Sequence, residues 1–390
     1  MLPILFSLHQ HVPCTTLVCA ASSSSNTFLV SQNTQPTYLS PLTITQGGTY
    51  SGNWKSSDPN VPAVNIRTTD PVVIENSRVK GPGQLIDAEN GGANLTVRNS
   101  YGYGVAPNGN SSPGQFVKLY KPNSVVVEHC YTDNTGGVYV SSDHVIPQSL
   151  KIRYNRGHNV NGHLTDNNDV VAHFIQLDKV LNTPGVEIAW NEVINEPYNS
   201  SSAEIINIYL SSGTPSSRIS VHDNYIQGSY TLDPANNPSL SGGGGILTDG
   251  DTSQASEATA FVEADNNQIV STTNVGIAIH SGHDNEYYNN RIISSGLLPN
   301  GNRIAGENVG LSVWDEYSRG VYNNSAHDNT IGWMGPNGAR NDSWLPDCAS
   351  GKCTNNTAMP DPITLDTEKA EYQTWLNKVS SNNVTVGPNF

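Results

Sequence analysis

The sequence predicts an all-β chain wound as a single parallel β-helix, a solenoid, with one short helix near its C-terminus. Three observations carry that reading: two families of short strand-like segments that recur in phase, and an absence of helical periodicity until the end of the chain. The first family reads VVIENSRV, LTVRNSYG, VVVEHCYT, LKIRYNRG, VEIAWNEV, ISVHDNYI and FVEADNNQI. The second reads FVKLYK, GVYVSS, FIQLDK, IINIYL, GILTDG, GIAIHS and GLSVWD. Both alternate with period two, as strands do. A repeat of roughly 20–40 residues with two or three strands and no intervening helix is the signature of a solenoid.

A sandwich of hairpins would need tight two-residue turns between consecutive strands. Here the connections vary in length while the strand motifs stay in phase, which a parallel coil tolerates by letting loops bulge from its corners. Asn near the end of the first family (Asn76, Asn99, Asn155, Asn191, Asn224, Asn266) suits a sharp corner, because Asn tolerates the left-handed conformation and can hydrogen-bond its own backbone. Near the C-terminus, DTEKAEYQTWLNKV places Tyr372, Trp375, Leu376 and Val379 at helical spacing. Asp366 is positioned to cap that helix, and Lys378 lies near its end. Its apolar stripe is expected to cover an open end of the coil or to pack along its side. The expected organisation is a leader over 1–25, the β-helix over 26–335, and an extension over 336–390 that carries a helix at 366–379.

Residues 1–25 read as a leader or signal-like segment: an apolar start followed by small residues at Ala20, Ala21 and Ser22, without a positive beginning and with His9, Gln10 and His11 breaking the apolar run. Secretion to an extracellular location is the expectation. Cys348 and Cys353 bracket the loop CASGKC and suit one local disulfide. Zinc fits less well, because no second Cys/His pair follows at ligand spacing. Cys130 lies in a strand-like run and is expected as a buried thiol, while Cys14 and Cys19 fall in the leader. N-x-S/T sequons stand at Asn94, Asn110, Asn199, Asn323, Asn341, Asn355 and Asn383, compatible with secretion.

The formal net charge is −15 with few Lys and Arg, which argues against nucleic acid and anionic membrane surfaces as partners. No apolar run of about 18 residues suggests a membrane span. Phosphate loops, H-E-x-x-H, G-x-S-x-G and C-x-x-C are absent. No helix follows the glycine run Gly242–Gly245, so it reads as a flexible approach to a groove and not as a nucleotide site.

Over about residues 45–335 these rungs make the chain resemble the right-handed parallel β-helix proteins of the pectate lyase-like superfamily. The resemblance implies activity on polysaccharides. It is architectural: of the motif series of polygalacturonase-type hydrolases only an echo, TDGD at Thr248–Asp251, is present, and there is no pectate lyase signature. Because the superfamily includes non-catalytic members, function has to be argued from the site.

Aligned by alternation, the second family points apolar pairs inward: Val117/Leu119, Val138/Val140, Ile175/Leu177, Ile206/Ile208, Ile277/Ile279 and Leu311/Val313, with Ile246/Thr248 as the less apolar member. The outward column after each pair reads Tyr120, Ser141, Asp178, Tyr209, Asp249, His280 and Trp314. The preceding outward column reads Lys118, Tyr139, Gln176, Asn207, Leu247, Ala278 and Ser312. Stacked rungs bring column neighbours within about 4.8 Å. Aromatic rings match the C–H faces of sugars, and polar side chains match their hydroxyls.

The expected chemistry is glycoside hydrolysis. Asp249 and Asp178, two rungs or about 9–10 Å apart, would form an acid/base pair near the upper limit for inverting enzymes. His280 would tune Asp249, with Asp251 beside it if the strand continues. Tyr120, Tyr139, Gln176, Asn207, Tyr209, Trp314 and Lys118 are the expected substrate contacts. Trp314-Asp315-Glu316 would extend the site or end a rung, and His283 and Asp284 would shape a turn. No cofactor is implied for hydrolysis. A polysaccharide lyase is the main alternative, with Lys118 or Lys179 and a Ca²⁺ held by Asp166–Asp169 or Asp249–Asp251. A non-catalytic glycan-binding β-helix is the third reading. The expected partner is a polysaccharide or oligosaccharide, and the expected assembly is a monomer or a homotrimer.

Overall fold

A computed structural model of the protein describes residues 36–106, 114–162, 172–236, 242–306 and 309–390. The expected leader with Cys14 and Cys19, the sequon at Asn110 and the Asp166–Asp169 cluster lie outside the described residues. Three parallel sheets make up the architecture. The first has eleven strands, from Leu42–Ile44 to Ser343–Trp344. The second has ten, from Gly48–Tyr50 to Ser325–His327. The third has eleven, from Asn53–Lys55 to Thr357–Ala358. Up to the last turn, neighbours within a sheet are three strands apart in the chain, so each turn lays one strand on each sheet; the last turn adds strands to the first and third sheets only. This is a parallel β-helix, and its strands continue past residue 335.

The register of the first sheet follows the hydrophobic alternation. Val117, Val138, Ile175, Ile206, Ile246, Ile277 and Leu311 stack in one inward row. Leu119, Val140, Leu177, Ile208, Thr248, Ile279 and Val313 stack in the next. A one-residue slip would turn every one of these side chains outward, so burial fixes the register. Full burial of each aliphatic side chain contributes roughly 1.5–3 kcal/mol.

The corner after the second sheet differs from expectation in one respect. Asn76, Asn99 and Asn266 do adopt positive φ. At the other three rungs the left-handed residue is the one before the asparagine: Tyr154, Trp190 and Asp223. Asn155, Asn191 and Asn224 instead join Asn267, Asn290 and Asn329 in a buried ladder. Each Nδ2 donates to the Oδ1 of the next rung at 2.9–3.0 Å, ending on Asn356. Each backbone N–H donates to that same oxygen, as Asn191 does to Asn224 at 3.0 Å. The second amide hydrogen reaches a carbonyl of the preceding rung, as Asn224 does to Ile188 at 3.0 Å. The ladder therefore satisfies its own buried amides, the condition under which buried polarity is tolerated.

The helix spans Leu365–Ser381. Its N-cap is Thr364, in a reciprocal capping pair with Thr367; Asp366 lies in the first turn, where its charge complements the helix dipole, and does not cap. Tyr372, Trp375, Leu376 and Val379 pack on Tyr225 and Val270 of the third sheet, so the helix lies along the side of the coil. Arg291 holds Glu371 with two bonds of 2.6 and 2.8 Å, and the Trp375 indole donates to Glu192 at 2.8 Å. Cys348 and Cys353 form the expected disulfide. Cys130 is a buried free thiol, its pKa pushed up to about 12 by burial. No helix among the described residues is long and apolar enough to cross a membrane.

Candidate functional site

Both outward columns of the first sheet form as alternation demands. Tyr120, Ser141, Asp178, Tyr209 and Asp249 are paired rung by rung. His280 follows, its N–H bonded to the Thr248 carbonyl, and Trp314 bonds in the same way to Ile279. Beside them run Lys118, Tyr139, Gln176, Asn207, Leu247, Ala278 and Ser312, and this column continues to Trp344.

At the C-terminal end of these columns residues 314–317 and 335–344 form one wall of an open cavity of about 920 Å³. Asp249, His280, Glu316 and Glu204 line it, together with Tyr317 and the indoles of Trp314 and Trp344. Its floor is apolar: Leu247, Val275 and Val309. The strand carrying Asp249 stops at that residue, and Gly250 turns the chain away at φ +139°. A Cβ at Gly250 would lie 2.4 Å from Leu210, so the turn requires glycine.

Asp249 uses Oδ1 to accept from the Tyr317 hydroxyl at 2.8 Å and from the Gly250 N–H at 2.7 Å. Burial raises its pKa; the Tyr317 bond opposes this and the Glu204 charge adds to it. His280 reaches Glu316 with Nδ1 at 2.9 Å and the Ser312 hydroxyl with Nε2 at 3.1 Å. The His280 bond draws the Glu316 carboxyl below its ordinary value, against burial. Trp314 lies edge-on to the imidazole at 5.7 Å and 5.0 Å from Trp344, which is 47% exposed. Glu204 pairs with His173 Nε2 at 2.7 Å and accepts from Asn207 at 3.1 Å.

The other expected residues sit elsewhere. Asp178 is in the column but outside the cavity lining, one rung beyond Tyr209, and accepts from the Tyr139 hydroxyl at 2.6 Å. Asp251 is not beside Asp249 on a continuing strand; past the Gly250 turn it pairs with Arg319 at 2.6 Å. His280 contacts Glu316 and is only a minor influence on Asp249. Lys118 pairs with Glu89 at 3.0 Å near the Tyr139 ring. Tyr120 is 40% exposed, Gln176 and Tyr209 are half-buried, and Asn207 is buried against Glu204. His283 stacks on Tyr322 at 4.5 Å, away from this cavity.

Glu204, Tyr317 and Trp344 escaped the sequence reading. Trp344 lies in a two-residue strand, Tyr317 in the turn after a strand, and Glu204 at a strand's first residue. Period-two alternation identifies none of these places. Among the described residues no group of three His, Cys, Asp or Glu side chains converges as a metal site. No family model, curated protein or solved structure matches the chain.

Proposed function

We propose that the protein is a secreted glycoside hydrolase that lays a polysaccharide along the outward columns of the first sheet and cleaves it in the cavity. The observation that carries this reading is a pair of carboxyls in one cavity whose surroundings push their protonation in opposite directions: Asp249 toward the acid, Glu316 toward the carboxylate. Such divergence assigns acid and base roles in glycosidases. The superfamily resemblance supports a glycan as the substrate, and the Cys348–Cys353 disulfide supports an oxidising compartment.

Asp249 Oδ1 is occupied by Tyr317 and Gly250, which leaves Oδ2 to carry the acid proton. That proton passes to the glycosidic oxygen as the bond from the anomeric carbon breaks. Glu316, held ionised by His280, takes a proton from the water whose oxygen bonds to that carbon. Two shorter sugars leave, Asp249 ends ionised and Glu316 protonated, and exchange with solvent resets both. Trp314 and Trp344 offer rings for stacking, and Tyr209, Tyr139 and Tyr120 carry the contact surface to about four rung spacings beyond Asp249, roughly 19 Å. Asp178 serves this reading as a contact residue and not as the partner of Asp249.

The test is turnover of a polysaccharide panel by wild type, Asp249→Asn and Glu316→Gln, reading new reducing ends. Each substitution is expected to lower kcat by about 10²–10⁴-fold with ligand binding retained. Undiminished turnover in Asp249→Asn, or product with the ultraviolet absorbance of an unsaturated sugar, overturns the hydrolase reading.

A further inference from the structure

Resting on the reading of the cavity as a glycan site, we infer that it takes sugar units bearing no negative charge and turns away polyuronates and sulfated glycans. Three carboxyls face the space: Glu204, Asp249 and Glu316. Arg340 is the one Lys or Arg among its described lining residues, and its guanidinium is fully engaged. Nε donates to Asp342 at 3.0 Å, Nη1 to the Met359 carbonyl and Asp361 at 2.9 and 2.8 Å, and Nη2 to the Ile331 carbonyl and Asp342 at 3.0 and 2.7 Å. A guanidinium has five N–H donors, and all five are spent inside the protein. Both nitrogens of His280 are likewise taken, by Glu316 and Ser312.

A uronate carboxylate entering here would meet the ionised Glu316 and, among the described lining residues, no free cationic donor. The rest of the lining favours an uncharged ring: aliphatic Leu247, Val275 and Val309 below, with Trp314 and Trp344 beside them. Apolar surface with few convergent polar groups is how small-molecule sites hold neutral ligands. The same composition bears on reaction type. β-Elimination acts on a sugar whose carboxylate has been neutralised, and no cationic side chain among the described lining residues is free to neutralise one.

The test uses the full chain carrying Asp249→Asn, titrated by tryptophan fluorescence and calorimetry. The probes are neutral hexasaccharides (gluco-, manno- and xylo-configured) and hexagalacturonate, each with EDTA and with added Ca²⁺. The expected result is binding of a neutral probe, at least tenfold weaker binding of hexagalacturonate in both conditions, and at least a tenfold loss for the neutral probe in a Trp344→Ala background. Hexagalacturonate binding as tightly as the neutral probes overturns the charge selection and leaves the glycan reading standing. Binding of no sugar overturns both.

Discussion

At the scale of single residues, the arrangement most open to measurement is the coupling of His280 to Glu316. The imidazole bond holds the Glu316 carboxyl below its ordinary value, so Glu316 stays ionised to lower pH than a free glutamate. Removing the imidazole returns the carboxyl upward. His280→Ala is therefore expected to move the acid limb of the kcat/KM profile to higher pH, while His280→Gln, which keeps a donor, restores part of the shift. An unmoved acid limb would mean that Glu316 is not the titrating base. A second residue-scale case is Glu368 in the first turn of the helix, half-buried and accepting from the Ser295 N–H at 2.6 Å. Burial raises its pKa from 4.5 to about 7. The folded state thus binds a proton that the unfolded state has released between those values, and stability falls as pH rises from 4.5 toward 7, then levels. The span corresponds to a destabilisation on the order of 3 kcal/mol above pH 7. Glu368→Gln keeps an acceptor for Ser295 and loses the charge. It is expected to raise Tm at pH 8 and to leave Tm at pH 4 nearly unchanged, read by thermal scans at the two values.

At the scale of elements, the buried asparagine ladder is where the rungs are joined most specifically. Asn224 accepts from both the backbone and the side chain of Asn191 and donates to Ile188 and Asn267. Truncation leaves several buried groups unpaired at about 1–3 kcal/mol each, so Asn224→Ala is expected to cost roughly 3 kcal/mol or more in urea unfolding. A loss below about 1 kcal/mol would show that water replaces the side chain. This ladder also marks the limit of what the sequence reveals. The strands and both outward columns were legible because inward Val, Ile and Leu pairs set the phase, and burial punishes a slip. Asn at the corners was visible too. Whether a given Asn turns the chain, like Asn266, or enters the ladder one position later, like Asn267, depends on which rung lies next to it. Column adjacency put Asp249 beside His280 and also suggested Asp178 as its partner. Only the wall of residues 314–317 and 335–344, built largely from turns without periodicity, decides that Glu316 and not Asp178 shares the cavity with Asp249.

At the scale of the whole molecule, three sheets advance together, so the outward face of the first sheet is assembled from residues far apart in sequence: Tyr120 and Trp344 belong to that same face. The helix along the third sheet leaves that face free, because its contacts are with Tyr225, Val270 and their neighbours. The proposed selection against anionic sugars belongs at this scale too, since the surplus of carboxyls around the cavity accords with a net charge of −15. One consequence follows from the constant rise of the coil. Each turn adds the same height, so the distance from the tyrosines to the proposed acid is counted in whole turns, like teeth on a rack. Lengthening the hold on a bound chain means inserting a complete turn upstream of Tyr209, and partial insertions swell a corner without altering the stride.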